Sequence, residues 1–173
     1  MNKFPDNVML LSTQRFIDGG KSSGNFENFN LALHVNDSKD RVFENRKMLK
    51  LNYDLPSEPV WINQTHSSIC VDATSIKTIV EADASYSSKE GVVCGILTAD
   101  CLPVFVSKKD GTMVGIAHAG WKGLVSGVIE NLVNSFNSDG EDLVVHLGPA
   151  ISKNSFEVGV EIKDLYLSKN GNL

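Results

Sequence analysis

The spacing of apolar residues predicts three helices along the chain. The clearest pattern begins at Trp121, after which apolar residues recur at every third or fourth position as far as Phe136, and this predicts one amphipathic helix. A second pattern follows the cap-forming residues 36–38 and predicts a helix of about four turns that ends before Pro56. A last helix is predicted over residues 158–169.

Short apolar segments between these helices predict strands. They are residues 8–13, 59–64, 68–73, 91–99, 102–107, 112–118 and 143–147. Residues 91–99 show no polar alternation, which predicts a central strand covered on both faces, and residues 143–147 are also interpreted as a buried strand. Because strands and helices do not alternate strictly, the sequence predicts an α+β or mixed α/β fold rather than a doubly wound parallel sheet.

A hairpin is predicted where residues 108–111 end in Asp-Gly, which is a strong turn signal. If these four residues form the loop, Ser107 pairs with Thr112, and Cys101 then lies directly opposite His118. A tighter turn of two residues would shift the register by two. The cysteine and the histidine would then lie diagonally, still within reach of each other.

The composition is that of one globular domain over residues 1–173, since 42% of the residues are hydrophobic and the length suffices for a sizeable core. A net charge of -5 argues against a nucleic-acid partner, because phosphates call for a basic face. The apolar runs are too short to span a membrane and the N-terminal residues do not resemble a signal peptide, so a cytoplasmic location with no membrane partner is expected. Three cysteines, an odd number, indicate free thiols that could bind a metal.

The predicted hairpin suggests a metal site. Cys101 and His118 come close enough at one end of the two strands to share an ion, and His66 is the candidate for a third ligand. Polar neighbours of His66, among them Gln64, could orient its ring, and Asp100 is either a further supporting carboxylate or a simple loop residue. One cysteine and two histidines leave a fourth position for water, which is typical of catalytic zinc sites.

An anion site is predicted beside these ligands. Gly120 and Gly123 keep the first turn of the helix open, so that its free N–H groups face outward, and Lys122 adds a full positive charge. This predicts a seat for phosphate or a carboxylate. The alternative is that the glycines serve as ordinary helix capping.

Several sequence blocks follow one another in the order QTHSS, EADA, LTADCLPVF, GIAHAGWKG and HLGPAI, and FNLALHVND with ENRKML precedes them. These blocks resemble the YfiH family, also called the multicopper polyphenol oxidoreductase (laccase) domain family and regarded as purine nucleoside phosphorylases. The resemblance runs from Gly19 to Val160. The pairing of ADCLP with HAGW is highly specific.

The resemblance implies that His66, Cys101 and His118 bind Zn²⁺ and form the catalytic centre. It implies a mixed α/β fold similar to the catalytic domain of cytotoxic necrotizing factor. It also implies a reaction in which phosphate attacks the ribose C1′ of adenosine, inosine or methylthioadenosine and releases the base, together with deamination of adenosine. Arg46, in what resembles the family's NR motif, would help to bind phosphate or substrate.

The chain departs from the family pattern in two ways. Lys122 stands where the family usually has arginine; lysine keeps the charge but loses the bidentate grip on an oxyanion, which predicts weaker phosphate binding. The C-terminal segment with the family's tyrosine-arginine-arginine motif is also expected to be lacking from the domain.

Three other functions stay open at this point. One is a copper-dependent phenol oxidase, although one cysteine and two histidines cannot build a trinuclear copper cluster. Another is a thiol hydrolase with Cys101 as nucleophile and His118 as base. The last is a non-catalytic metal-binding domain.

Overall fold

A mixed sheet organises the part of the chain that the structure, a computed structural model, describes, which is residues 4–169. Its five strands within that range are β1 (Cys70–Asp72), β2 (Ala84–Ser87), β3 (Leu102–Lys108), β4 (Val114–Ala119) and β5 (Leu143–Leu147). The order across the sheet is β1-β2-β4-β3-β5. The first pair is parallel and the other pairs are antiparallel. The predicted mixed α/β fold is confirmed.

Four α-helices accompany the sheet within the described residues. They are α1 (Lys39–Asn52), α2 (Trp121–Ser126), α3 (Val128–Ser135) and α4 (Val160–Lys169). Helices α1 and α4 confirm the predictions made for these segments. Helix α4 contacts α2 through Tyr166, whose hydroxyl donates a hydrogen bond to the carbonyl of Trp121 at 3.2 Å. None of the helices in the described range is both long enough and apolar enough to cross a bilayer.

The prediction of a single helix from Trp121 to Phe136 is wrong in one respect, because the structure divides this segment into two helices at Gly127. This residue has φ +87° and ends α2 while it begins α3. Its N–H group bonds to the carbonyl of Leu124 at 3.2 Å, which closes the first helix. Apolar spacing continues across the break, and a glycine without a side chain leaves no mark on that pattern.

The main core lies between the sheet and α3. Val104 and Val106 of β3 and Leu132 of α3 are almost fully buried, as is Phe136 directly after that helix. A second, smaller cluster lies beneath α1, where Leu49 packs with apolar residues of the preceding and following loops. The residues of this cluster are Phe29, Leu31, Leu49 and Leu55.

Several predicted strands are absent or reduced. Residues 8–13 form no strand within the described range, and 59–64 are reduced to isolated bridges at Val60 and Asn63. The segment 68–73 is reduced to the three residues of β1. Apolar content alone predicted these strands, but a strand also requires a neighbouring backbone with free hydrogen-bonding groups.

The placement of 91–99 as a central strand is also wrong. In this segment Cys94 makes one parallel bridge to Val60, and the remaining backbone is irregular. The centre of the sheet is instead β4, and β5 lies at one edge. The interpretation of β5 as a buried strand is wrong for its second half, since Val145 is 52% exposed and Leu147 is 58% exposed.

The hairpin forms with the tighter of the two registers. Ser107 pairs with Val114, and His118 pairs with Pro103 instead of Cys101. The direct opposition of Cys101 and His118 is therefore wrong, and the diagonal arrangement is the one observed. Cys101 immediately precedes β3, so its side chain lies at the same end of the hairpin as His118.

Candidate metal centre

His118 is a buried side chain near the end of β4, only 5% exposed. Its Nδ1 lies 2.8 Å from Oδ1 of Asp83, and its backbone N–H donates to the carbonyl of the same residue at 2.7 Å. A carboxylate can only accept, so Nδ1 carries the proton. Nε2 is therefore the ring nitrogen with a lone pair to offer.

His66 is exposed and lies in the loop before β1, with a left-handed backbone at φ +59°. The N–H groups of Thr65, His66 and Ser67 all donate to the carboxylate of Asp83, at 3.1, 3.1 and 2.6 Å. The hydroxyl of Ser67 adds a fourth donor at 2.8 Å. The loop that presents His66 is thus fixed by backbone hydrogen bonds.

Cys101 is a half-buried free cysteine at the entrance to β3. Burial raises the pKa of its thiol, and the carboxylates of Asp100 and Asp83 raise that pKa further. A raised pKa keeps a thiol protonated and weakly nucleophilic. A cation beside the sulfur would reverse this preference, because coordination to a metal deprotonates a thiol.

The three side chains converge on one point. The sulfur of Cys101 and one ring nitrogen each of His66 and His118 lie within 4.8 Å of one another. The two imidazole rings are 4.8 Å apart between centroids and inclined at 71°. Bonds of about 2.0–2.3 Å around a tetrahedral zinc ion place its ligand atoms roughly 3.3–3.6 Å apart, so the widest pair would have to approach by roughly 1.2–1.5 Å to complete the site.

Gly120 borders this point and has no side chain to fill it. A β-carbon there would lie 3.0 Å from Sγ of Cys101 and 2.9 Å from Cδ2 of His66. The donor set and this space both fit a small metal ion. The residues able to hold one are therefore His66, Cys101 and His118.

The cluster lies on the wall of a groove of about 1690 Å³. Gln64, Asp100 and residues 7–15 also line this groove. Since pockets for small molecules usually measure about 300–1000 Å³, the space is ample for a substrate the size of a nucleoside.

Gln64 and Asp100 hydrogen-bond to other segments of the chain, and their support of the candidate ligands stays a prediction. The side chain of Gln64 both donates to and accepts from the backbone of Leu97, each at 2.7 Å, and so ties two segments together. Asp100 is exposed, and its carbonyl accepts from the N–H of Ile151 at 2.9 Å. The carboxylate of Asp100 acts on Cys101 through its charge.

The predicted anion seat lies next to the cluster. Lys122 is exposed, with Nζ 5.5 Å from the centre of the Trp121 ring. Helix α2 is only six residues long, so its dipole is small. Binding of phosphate by Lys122 and Gly120 stays a prediction.

Arg46 is buried in α1 and points into the protein. Its Nε and Nη2 donate to the carbonyl of Leu31 at 2.9 and 2.8 Å, and its guanidinium lies 4.2 Å from the centre of the Trp61 ring. Burial lowers the pKa of Arg46, and the carboxylate of Glu58 opposes that shift. These contacts give Arg46 a role in holding the loop at Leu31, and its role in binding phosphate stays a prediction.

Asp83 was not singled out as a site residue from the sequence. Burial raises the pKa of its carboxyl, but hydrogen bonds from His118, Ser67 and Thr65 lower it more, so the net pKa lies below the ordinary value. The available signal was an acidic residue between Ala82 and Ala84 at the start of a strand. A carboxylate in such apolar surroundings requires buried donors.

The family of this chain follows from its match to a family model. The model for multi-copper polyphenol oxidoreductase laccase matches residues 10–172. The chain belongs to this family. The resemblance to the YfiH family is thereby confirmed, and relatives of known name agree with it.

Two curated relatives are similar over most of this chain. Purine nucleoside phosphorylase YfiH of Escherichia coli strain K12 is 42% identical over 165 residues, which are 95% of this chain and 67% of the relative. Purine nucleoside phosphorylase PA4543 of Pseudomonas aeruginosa is 43% identical over 164 residues, 95% of this chain and 66% of the relative. The chain therefore spans about two thirds of the length of these family members.

Two solved structures share the fold. Protein NMB0706 of Neisseria meningitidis matches with a TM-score of 0.82 and 38% identity, over 87% of this chain and 62% of that one. YlmD of Geobacillus stearothermophilus matches with a TM-score of 0.78 and 28% identity, over 85% of this chain and 60% of that one. The chain covers about three fifths of these family structures.

Proposed function

We propose that this chain is a zinc-dependent purine nucleoside phosphorylase that acts on adenosine, inosine or methylthioadenosine, with adenosine deamination as a side activity. The observation that carries the proposal is the convergence of His66, Cys101 and His118 within 4.8 Å on the wall of a groove. The names of the relatives from Escherichia coli and Pseudomonas aeruginosa support the reaction class.

In the proposed reaction, an oxygen of phosphate attacks the ribose C1′ and the bond from C1′ to the purine nitrogen breaks. The electron pair of that bond leaves with the purine, which takes up a proton. The protein must therefore hold phosphate on one side of the ribose and the base on the other. We assign phosphate contact to Lys122 and to the backbone at Gly120, which borders the cluster.

The metal that fits the donor set best is zinc. One thiolate and two imidazoles are common zinc ligands, and a set of three leaves an open position. When bound, the ion would supply a Lewis acid able to activate water near neutral pH, as deamination requires. The protein itself orients the two imidazoles, buries one of them and keeps a side chain out of position 120.

Copper is the metal that the family's printed description suggests. The described residues offer one group of three potential ligands, whereas reduction of oxygen at a trinuclear copper cluster needs many more. Metal analysis of the purified chain separates the two ions. If the purified chain contains copper and oxidises phenols without releasing a purine base, a copper-dependent phenol oxidase replaces the proposed function.

A thiol hydrolase is the second candidate, because Asp83, His118 and Cys101 follow one another as an acid, a base and a nucleophile would. A nucleophilic cysteine needs a lowered pKa, and burial raises the pKa of Cys101. The two proposals differ in the effect of a chelator. Removal of zinc should abolish phosphorolysis and expose Cys101 to alkylation, whereas the activity and the alkylation of a thiol hydrolase should not depend on a chelator.

The deciding experiment incubates the zinc-loaded chain with adenosine and phosphate and follows adenine and ribose 1-phosphate, with inosine and methylthioadenosine in parallel. We expect base release that depends on phosphate and is lost in Cys101→Ala. Cys70→Ala is the matched control, since Cys70 lies in β1 and is not one of the three potential ligands. Base release without phosphate, or equal activity in Cys101→Ala, would contradict the proposal.

A further inference from the structure

We propose that Asp83 is the positioning residue of the metal centre: one buried carboxylate sets the backbone conformation of His66 and the ring tautomer of His118 together. The inference rests on the metal centre in the proposed function. It concerns how the ligands are oriented, and it assigns Asp83 no contact with substrate. The geometry supports it from both sides of the carboxylate.

On one side, the carboxylate takes the place that an anion occupies in a backbone nest. Successive N–H groups of Thr65, His66 and Ser67 point at its two oxygens, all within 3.1 Å. Such concavities usually bind an external anion such as phosphate. Here the chain supplies the anion, and the loop adopts the shape that surrounds it.

The conformation of His66 explains why this help is needed. Its backbone has φ +59°, a left-handed conformation that residues with a β-carbon adopt at a cost. The hydrogen bond from its N–H to Oδ1 of Asp83 holds it there. Without that acceptor the backbone would relax and carry the imidazole of His66 away from the other two ligands.

On the other side, the same oxygen fixes the second histidine. Oδ1 lies 2.8 Å from Nδ1 of His118, so a single atom joins both histidines. A proton on Nδ1 leaves the lone pair on Nε2, and partners of this kind orient metal-binding histidines in many proteins. The carbonyl of Asp83 also accepts from the N–H of His118 at 2.7 Å, which ties the backbones together.

The carboxylate has no exposure to water that could substitute for these contacts, since Asp83 is 0% exposed. Asparagine has the same size but carries N–H donors in place of one oxygen. Donors face both oxygens, from the loop and from His118, so an amide nitrogen would oppose a donor in either orientation. Asp83→Asn should therefore disturb both histidines while it changes the packing little.

The first test measures zinc affinity by competition with a chromophoric chelator, at a temperature where circular dichroism shows each variant folded. Asp83→Asn should bind zinc 10- to 100-fold more weakly, as loss of such a partner typically causes. Asp72→Asn is the matched control, because Asp72 also accepts from a backbone N–H and a hydroxyl, both of Thr74, away from the cluster. Its zinc affinity should equal that of the wild type.

The second test reads the tautomer of His118 directly in the wild-type chain by nitrogen-15 NMR. We expect the proton on Nδ1 with and without zinc. This measurement decides the question if Asp83→Asn does not fold, because a proton on Nε2 would overturn the inference. A purely structural role of Asp83 would lower the stability of the variant and leave its zinc affinity unchanged.

The outcomes separate this inference from the proposal on which it rests. If the wild-type chain binds no zinc, the metal centre and the inference fall together. If the wild type and Asp83→Asn bind zinc equally well, the inference is overturned and the metal centre stands. If both bind zinc and neither releases a purine base with phosphate, the proposed activity alone is overturned.

Discussion

Gly120 lies so close to Cys101 that a β-carbon on the glycine would be 3.0 Å from the sulfur. The backbone of Gly120 has φ -66° and ψ 160°, which any residue can adopt. The glycine is therefore required by the space around it and not by its own conformation. That space is shared with the imidazole of His66, whose Cδ2 would lie 2.9 Å from the same β-carbon.

Gly120→Ala is expected to weaken zinc binding while the chain stays folded. The methyl group would push apart two of the three potential ligands, and overpacking of this kind costs about 1–3 kcal/mol. Since about 1.4 kcal/mol is a tenfold change in an equilibrium constant, the zinc affinity should fall by about 5- to 150-fold. The measurement is chelator competition at constant pH.

Gly140→Ala serves as the control for this change, because a β-carbon at Gly140 meets no atom within 4 Å. Its zinc affinity should match that of the wild type. Unchanged affinity in Gly120→Ala would show that the ion does not bind between Cys101 and His66.

The three candidate ligands could be predicted from the sequence, but the residue that orients them, Asp83, could not. Cys101 and His118 could be placed together because a hairpin brings its two ends into contact, whichever of the two registers forms. The role of Asp83 could not be predicted, because its hydrogen-bond partners lie far from it in the sequence, in a loop and at the end of another strand. Contacts of this kind depend on tertiary structure, which local patterns do not encode.

Gly127→Ala is expected to destabilise the fold. Gly127 has φ +87°, and the left-handed conformation costs a residue with a β-carbon about 1–2 kcal/mol. The nearest atom to an added β-carbon is Oε2 of Glu130 at 3.6 Å, so steric overlap contributes little. The midpoint of urea unfolding should fall by an amount that corresponds to this free energy.

Gly140→Ala is again the reference variant, and its midpoint should stay close to that of the wild type. A Gly127→Ala chain as stable as the wild type would mean that α2 and α3 can join into one continuous helix. That continuous helix is the one that the apolar spacing predicted.

The fold was predictable where one local signal dominated. Helix α1 follows from apolar spacing with a clear stop, and the β3–β4 hairpin follows from its turn. Residues 91–99 were predicted wrongly because their apolar side chains suit a central strand. The backbone of this segment makes hydrogen bonds to Val60 and to the side chain of Gln64 instead of forming the continuous hydrogen-bond ladder of a sheet. An apolar run reports burial, and burial does not require a strand.

Cys94 should make the stability of the fold depend on alkaline pH. Burial raises the pKa of the Cys94 thiol to about 12, against 9.0 for an unperturbed cysteine. Above pH 9 the unfolded chain therefore loses this proton while the folded chain keeps it. The free energy of unfolding should fall as the pH rises from 9 towards 12, by up to about 1.4 kcal/mol per pH unit.

Urea unfolding at pH 8 and pH 10 in the wild type and in Cys94→Ala measures this effect. The variant should lose less stability between the two pH values, whatever its stability at pH 8. Parallel losses in the two proteins would show that Cys94 does not keep its proton in the folded chain.

Arg46→Lys distinguishes a structural role of Arg46 from a role in phosphate binding. The guanidinium donates twice to the carbonyl of Leu31 and lies over the ring of Trp61, and lysine can reproduce neither the fork nor the planar stacking. Loss of a buried charged hydrogen bond costs about 1.5–3 kcal/mol. We expect the free energy of urea unfolding to fall by about 2 kcal/mol.

Arg15→Lys is the control for this substitution, since Arg15 is exposed, lies 5.2 Å from the ring of Phe16 and donates to one backbone carbonyl at 3.4 Å. Its stability should change by less than about 0.5 kcal/mol, as is usual for surface substitutions.

Measurement of the KM for phosphate in Arg46→Lys then separates the two roles of Arg46. If the guanidinium also binds phosphate, the KM for phosphate in Arg46→Lys rises steeply under conditions where the variant is fully folded, in addition to the fall in stability. If Arg46 only holds the loop through Leu31 and Trp61, the stability falls and the KM rises only as far as the displaced loop disturbs the groove.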